Sequence, residues 1–271
     1  MSLDNIMMKE SIFLLGVTGG IGKLLAEELK KKGYIIVGNG RKENILISMK
    51  NEEKIIDDYV VGDLTKDEDR KRIIEKIKEY VDKGYKVSVL YNIGILYDYR
   101  GDISKYSIEE IRKAFETNVE SIIATDIELL KNTIILDTIY MVSISAHYVG
   151  GWDHIYQITK AALDRYVAAL KYDDEVNNRK RKLIALSPDT IKTGEEGMGS
   201  KLKEYPKIPG EIFVKKVAEI INGKYKEYSE FIFEIGDDNR IRLYGMNPSK
   251  DRNTFDYHEK EFIEEMGEAV Y

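Results

Sequence analysis

The chain has 271 residues, 43% hydrophobic and 33% charged, with 21 Gly and 4 Pro; this is a globular composition with enough apolar residues for a sizeable core, and it excludes collagen-like and disordered classes. Forty-eight Asp and Glu oppose 42 Lys and Arg for a net charge of −6, the wrong sign for gripping a phosphate backbone, so no nucleic-acid partner is expected. Cysteine is absent, which removes disulfides, thiolate nucleophiles and Cys-ligated metal centres.

His147, His154 and His258 show no H-x-x-x-H spacing; they read as ordinary loop or surface residues, and no metal site is expected. Residues 1–10 carry no basic stretch leading into a long apolar run, and no apolar run reaches the length of a membrane span. The expectation is a cytoplasmic protein without membrane contact.

In chain order, apolar runs rich in β-branched residues at 11–15, 34–37, 59–61, 86–90, 133–144, 182–186 and 229–235 predict strands. Helical periodicity predicts helices over 20–32, 66–82, 107–131, 156–177 and 211–222; in the first, Ile21, Leu24, Leu25 and Leu29 form one stripe. Strand and helix alternate, which calls for right-handed crossovers and a parallel sheet covered on both faces, a doubly wound α/β fold in a single domain over 1–271. Two stretches depart from the alternation. Residues 194–210 read as a substrate lid or an exposed connection, and 237–271 form an acidic tail with a helical pattern near 257–266.

The first predicted strand runs into Gly16-Val17-Thr18-Gly19-Gly20-Ile21-Gly22, which opens the first helix. A glycine turn there lets backbone approach a pyrophosphate and aims the helix N-terminus at the anion, so Gly16, Thr18, Gly19, Gly20, Ile21 and Gly22 are candidate dinucleotide-binding residues. At the end of the second strand no carboxylate is present to select a free ribose 2′-hydroxyl; Arg41 and Lys42 suit a 2′-phosphate, favouring NADP over NAD. After the third strand stands Asp63-Leu64, where Asp63 either accepts from an adenine amino group or caps the next helix.

Tyr156 and Lys160 are four apart on a predicted helix and share a face. A nearby ammonium favours the phenolate, which brings Tyr156 towards acid–base use. Ser145 lies eleven residues upstream near the end of an apolar strand, and Ser143 is its rival on the same strand face.

Together the glycine loop, Asp63, Asn92-Ile93-Gly94, Asn118-Val119, Ser145, the Tyr156/Lys160 pair and the 187–193 segment (SPDTIKT) resemble the short-chain dehydrogenase/reductase family over about residues 12–193. The resemblance implies a Rossmann fold and NAD(P)-dependent hydride transfer to or from a small-molecule carbonyl or alcohol. It implies that Tyr156 moves the proton, that Ser145 positions the substrate oxygen, and that Lys160 holds the nicotinamide ribose while lowering the tyrosine pKa. Asn118 would anchor a water relay. Asn92, Gly94, Pro188, Ile191 and Thr193 would border the nicotinamide, and a homodimer or homotetramer would form. Departures from the family pattern are Leu15, Tyr91, Ile93 and Asp189. Two other readings stand beside this one: an epimerase or dehydratase of the extended branch, for which the 78 residues after Thr193 are few, and a cofactor-sensing protein without catalysis. The basic run 179–182 reads as a solvated helix end. Tyr148 and Trp152 read equally as pocket or core.

Overall fold

The computed structural model describes residues 9–97, 102–149, 153–193, 205–246 and 260–271. Six strands, β1 (Glu10–Leu15), β2 (Ile35–Gly40), β3 (Asp58–Val61), β4 (Lys86–Tyr91), β5 (Asp137–Met141) and β6 (Leu183–Pro188), run parallel in the order 3-2-1-4-5-6. The sheet continues through β9 (Glu230–Ile235), parallel to β6, then antiparallel β10 (Arg240–Met246) and β11 (Glu261–Glu268). A short parallel pair, β7 (Ile191–Lys192) and β8 (Ile208–Pro209), stands apart.

The strands read as unbroken apolar runs because both faces are covered. In β1, Ile12 and Leu14 point to one layer and Phe13 and Leu15 to the other. The first layer holds α1 (Gly20–Lys31), α2 (Glu43–Asn51) and α7 (Gly210–Ile221), through Leu25, Leu29, Leu46, Met49, Phe213 and Val217. The second holds α3 (Asp67–Asp82), α5 (Ser121–Lys131) and α6 (His154–Val176), through Ile73, Ile77, Leu129, Leu163 and Val167. The helix expected over 107–131 is α4 (Ile108–Phe115) joined to α5 by a π-helical turn, Glu116–Glu120. Its start is fixed by a Ser107/Glu110 capping box.

Three expectations are corrected. Helix α2 lies in a stretch without a predicted element. The helix expected near 257–266 is, over its described part, strand β11. The apolar run 133–144 is a strand only to Met141; Ile144–Ala146 is a 3-10 turn, which moves both candidate serines out of the strand. Of the candidate lid, only 205–210 falls within the described residues; Trp152 and His258 lie outside them. Among the described residues no helix is long and apolar enough to cross a membrane.

Candidate active site

A cavity of about 850 Å³ opens at the carboxyl ends of the parallel strands, where an open α/β sheet places its ligand. Gly19, Gly20, Ile21, Asn92, Gly94, Ser145, Tyr156, Lys160, Pro188, Ile191 and Thr193 all line it, so segments far apart in sequence converge on one site.

The glycine loop is held by backbone. The amides of Gly16 and Val17 donate to Asn39 O at 3.2 and 3.0 Å, and Asn92 Nδ2 donates to Gly16 O at 3.1 Å. Gly16 has φ +88°, a left-handed conformation that disfavours any residue with a Cβ. At Gly22 a Cβ would stand 2.4 Å from Gly16 O, so only glycine lets α1 start this close beneath the loop. Helix α1 has no side-chain N-cap and no acid in its first turn. By contrast α3 begins with Asp67, Glu68 and Asp69, and α6 is capped by Asp153. The α1 amides are thus left for an outside anion, which fits a cofactor pyrophosphate.

The adenosine-side candidates lie beyond the cavity lining. Gly40 is packed beneath Thr18, where a Cβ on it would stand 2.7 Å from Thr18 Cγ2. Asn39 turns inward, its amide donating to Val60 O and Gly62 O at 3.1 and 3.2 Å. Arg41 is therefore the first exposed side chain past β2, with Lys42 after it as the α2 N-cap residue. Asp63 Oδ1 accepts from Thr65 N and Oγ1 at 3.0 and 2.8 Å. Its pKa is lowered: burial opposes ionisation, but the Thr65 bonds and the charge of Arg41 outweigh it. Asp63 does not cap α3, whose N-cap residue is Lys66. Leu64 is a core residue.

The opposite wall is made of side chains. Asp153 Oδ1 accepts from Tyr156 N at 2.9 Å and also receives the Tyr106 hydroxyl, fixing the first turn of α6. Tyr156 is partly buried, and its phenol is pushed up to about 12 by desolvation, offset in part by the nearby Ser143 hydroxyl. Ser143 Oγ in turn accepts from Ser145 N at 3.2 Å. That bond occupies a lone pair of Ser143 and leaves its proton for an oxygen beside Tyr156. With β5 ending at Met141, Ser143 stands at the start of the 3-10 turn and Ser145 within it, and both line the cavity with Tyr156.

Lys160 Nζ lies 5.5 Å from the Tyr156 ring centroid and donates to Met141 O at 2.8 Å. Burial pulls its pKa down to about 8. Desolvation is the largest influence on both groups. Asn118, buried in the π-helical turn, accepts from Ile95 N at 2.7 Å and donates to Ile95 O and Thr159 Oγ1 at 3.0 and 2.9 Å. It ties the turn after β4 to α6. Such π turns recur at functional sites because they push one residue out of helical register.

Asp153 is not among the sequence candidates, although an Asp three residues before Tyr156 at a helix start is a readable N-cap signal. His147 sits in the loop after the 3-10 turn, as one of the two expected placements has it, but with its side chain only 2% exposed and its Nε2 3.0 Å from Ser187 Oγ.

The short chain dehydrogenase family profile matches residues 10–200. Serine 3-dehydrogenase of Rhizobium radiobacter is 22% identical over 189 residues, covering 69% of this chain and 74% of that protein. Among solved structures, L-sorbose reductase of Gluconobacter frateurii with NADPH and L-sorbose has a TM-score of 0.63 at 19% identity, covering 78% of this chain and 89% of that one. An alcohol dehydrogenase of the archaeon Thermococcus sibiricus with 5-hydroxy-NADP has a TM-score of 0.65 at 21% identity, covering 83% and 95%. With the profile spanning most of the chain, the protein belongs to the short-chain dehydrogenase family of NAD(P)-dependent oxidoreductases acting on CH–OH and C=O groups.

Proposed function

We propose that the protein is an NADP(H)-dependent carbonyl reductase or alcohol dehydrogenase working through Ser143, Tyr156 and Lys160. The observation that carries this reading is that Ser143, Tyr156 and Lys160 line the same cavity as the glycine loop, with Lys160 Nζ 5.5 Å from the Tyr156 ring centroid. NADP(H), when bound, supplies or accepts the hydride. Gly16, Gly19, Gly20 and Gly22 with the α1 amides would hold its pyrophosphate, and Thr18, Asp63 and Leu64 would border the adenosine. Asn92, Gly94, Pro188, Ile191 and Thr193 would border the nicotinamide.

Tyr156 hands its proton to the substrate carbonyl oxygen, or takes one from an alcohol. A phenol held at about 12 is protonated at neutral pH, which suits the acid role in reduction. Ser143 donates to the same oxygen as charge develops on it. Lys160 has Met141 O as a fixed acceptor and retains N–H donors for ribose hydroxyls and for resupplying the tyrosine proton. Asn118 acts as a positioning residue for this wall. Support for NADP comes from Arg41 and Lys42 beside Asp63, with no carboxylate at the end of β2; the sorbose reductase and the archaeal alcohol dehydrogenase were solved with NADPH and 5-hydroxy-NADP respectively. Exposed Ile108, Phe115 and Ile127 on α4 and α5 favour a homodimer or homotetramer, which light scattering at micromolar concentration tests.

The deciding experiment compares wild type and Tyr156→Phe. Thermal melts with NADPH, NADH and no ligand establish the cofactor, and a carbonyl screen then follows NADPH oxidation. The variant should lose about 10²–10⁴-fold in turnover while binding NADPH as before. Undiminished turnover would refute the assignment and revive the cofactor-sensing reading.

A further inference from the structure

Next to the Ser143 turn, three side chains from distant parts of the chain meet: His147 at the end of that turn, Asp164 in α6 and Glu230 at the start of β9. One candidate ligand atom of each lies within 4.8 Å of the other two. His147 Nε2 is 3.4 Å from Glu230 Oε1, with the two side chains 2% and 5% exposed, and 3.0 Å from Ser187 Oγ. Glu230 Oε1 is enclosed by protein and accepts no hydrogen bond. An interior carboxylate oxygen without a donor is a costly arrangement unless a cation or proton meets it.

We infer that His147, Asp164 and Glu230 form a structural zinc site, with a water as the fourth ligand. Zinc bonds of about 2.0–2.1 Å set the edges of a tetrahedron at about 3.3–3.4 Å, which is the His147–Glu230 separation. One imidazole and two carboxylates form a nitrogen and oxygen donor set that Zn²⁺ accepts. Lys171 also lies near the cluster, but its Nζ donates to Ser229 O at 3.3 Å. Ser145 and Tyr148, on either side of His147, line the main cavity. The ion would tie the turn carrying Ser143 to α6 and to the sheet. The three ligands come from three separate elements, so no local spacing in the sequence marks them.

The test uses the full chain, stripped with EDTA and titrated with Zn²⁺ alone by calorimetry, with zinc content and melting temperature measured in parallel. The expected result is one Zn²⁺ per chain, a raised melting temperature, and at least a hundredfold weaker binding in Glu230→Gln, which keeps the size and one acceptor of the native group. X-ray absorption should report imidazole and oxygen ligands. His258→Ala should bind as wild type does, and Asp164→Asn, expected to weaken binding likewise, decides the matter if Glu230→Gln does not fold. The inference is overturned if wild type takes up no zinc saturably, if the folded Glu230→Gln or Asp164→Asn variant binds as tightly as wild type, or if binding follows His258.

Discussion

Along residues 16–22 the cavity wall is backbone: amides, carbonyls and close approaches that only glycine allows. Across the cavity the wall is a set of polar side chains, Ser143, Lys160 and Asn118 buried and Tyr156 partly so, and desolvation resists the ionisation of Tyr156 and Lys160. The first wall costs little to hold in the empty protein because its anion-binding groups are part of the fold. The second stores an electrostatic penalty that a substrate and cofactor would use, so binding and chemistry are separated not only in position but in their energetic effect on the empty fold.

Lys160→Met gives the largest separation of the two walls. The unfolded lysine ionises near 10.5 and the folded one near 8, so an ammonium in the folded state at neutral pH costs about 3 kcal/mol. Between pH 8 and 10.5 the unfolded chain holds a proton that the native state has released, and stability therefore rises with pH across that window. Lys160→Met should flatten the rise and stabilise the empty protein at pH 7 by up to about 3 kcal/mol, less about 1 kcal/mol for the lost bond to Met141 O, while removing turnover. Urea melts at pH 7 and 9.5 check it; a destabilised variant at pH 7 would mean that the ammonium is better satisfied than its one acceptor suggests.

Gly22→Ala acts on the other wall with the opposite sign. Its Cβ meets Gly16 O and Val17 O, at 2.4 and 2.8 Å, and backbone cannot swing aside as a side chain does. A stability loss of about 1–3 kcal/mol is expected, together with weaker NADPH binding, read by the same melts and by fluorescence titration. Arg41→Ala should leave stability within about 0.5 kcal/mol, since Arg41 is exposed, and should weaken NADPH about 10- to 150-fold with little change for NADH. Equal binding of both cofactors by the unmodified protein would return Arg41 and Lys42 to a solvated turn.

The backbone wall is legible in the sequence because its signal is local: glycines set between a strand and an amphipathic helix mark a tight turn that few other residue types could make. Tyr156 and Lys160 are legible for the same reason, a fixed spacing on one helix. The serine is not, since choosing between Ser143 and Ser145 needs the end of β5, and the apolar run 133–144 continues past Met141 into a 3-10 turn without any change of composition. Helix α2 buries only Leu46 and Met49, a stripe too short to register as periodicity. In the tail, Phe262, Ile263 and Met266 have helical spacing, yet β11 is a strand. Its pairing with β10 skips Ile263 and Met266 in two register shifts, and such bulges disrupt the period of two that marks a strand. The buried His147 cannot be read at all, because its neighbours Ser187 and Glu230 are brought to it only by the pairing of β6 with β9.

Whether the side-chain wall is centred on Ser143 is tested most directly by measuring NADPH oxidation for Ser143→Ala and Ser145→Ala in parallel, with one accepted carbonyl and saturating cofactor. The geometry predicts that Ser143→Ala loses about 10²–10³-fold in kcat, whereas Ser145→Ala, which keeps the backbone amide donating to Ser143 Oγ, stays within about tenfold of wild type. The reverse ranking would contradict this assignment and move the oxygen-positioning role to Ser145.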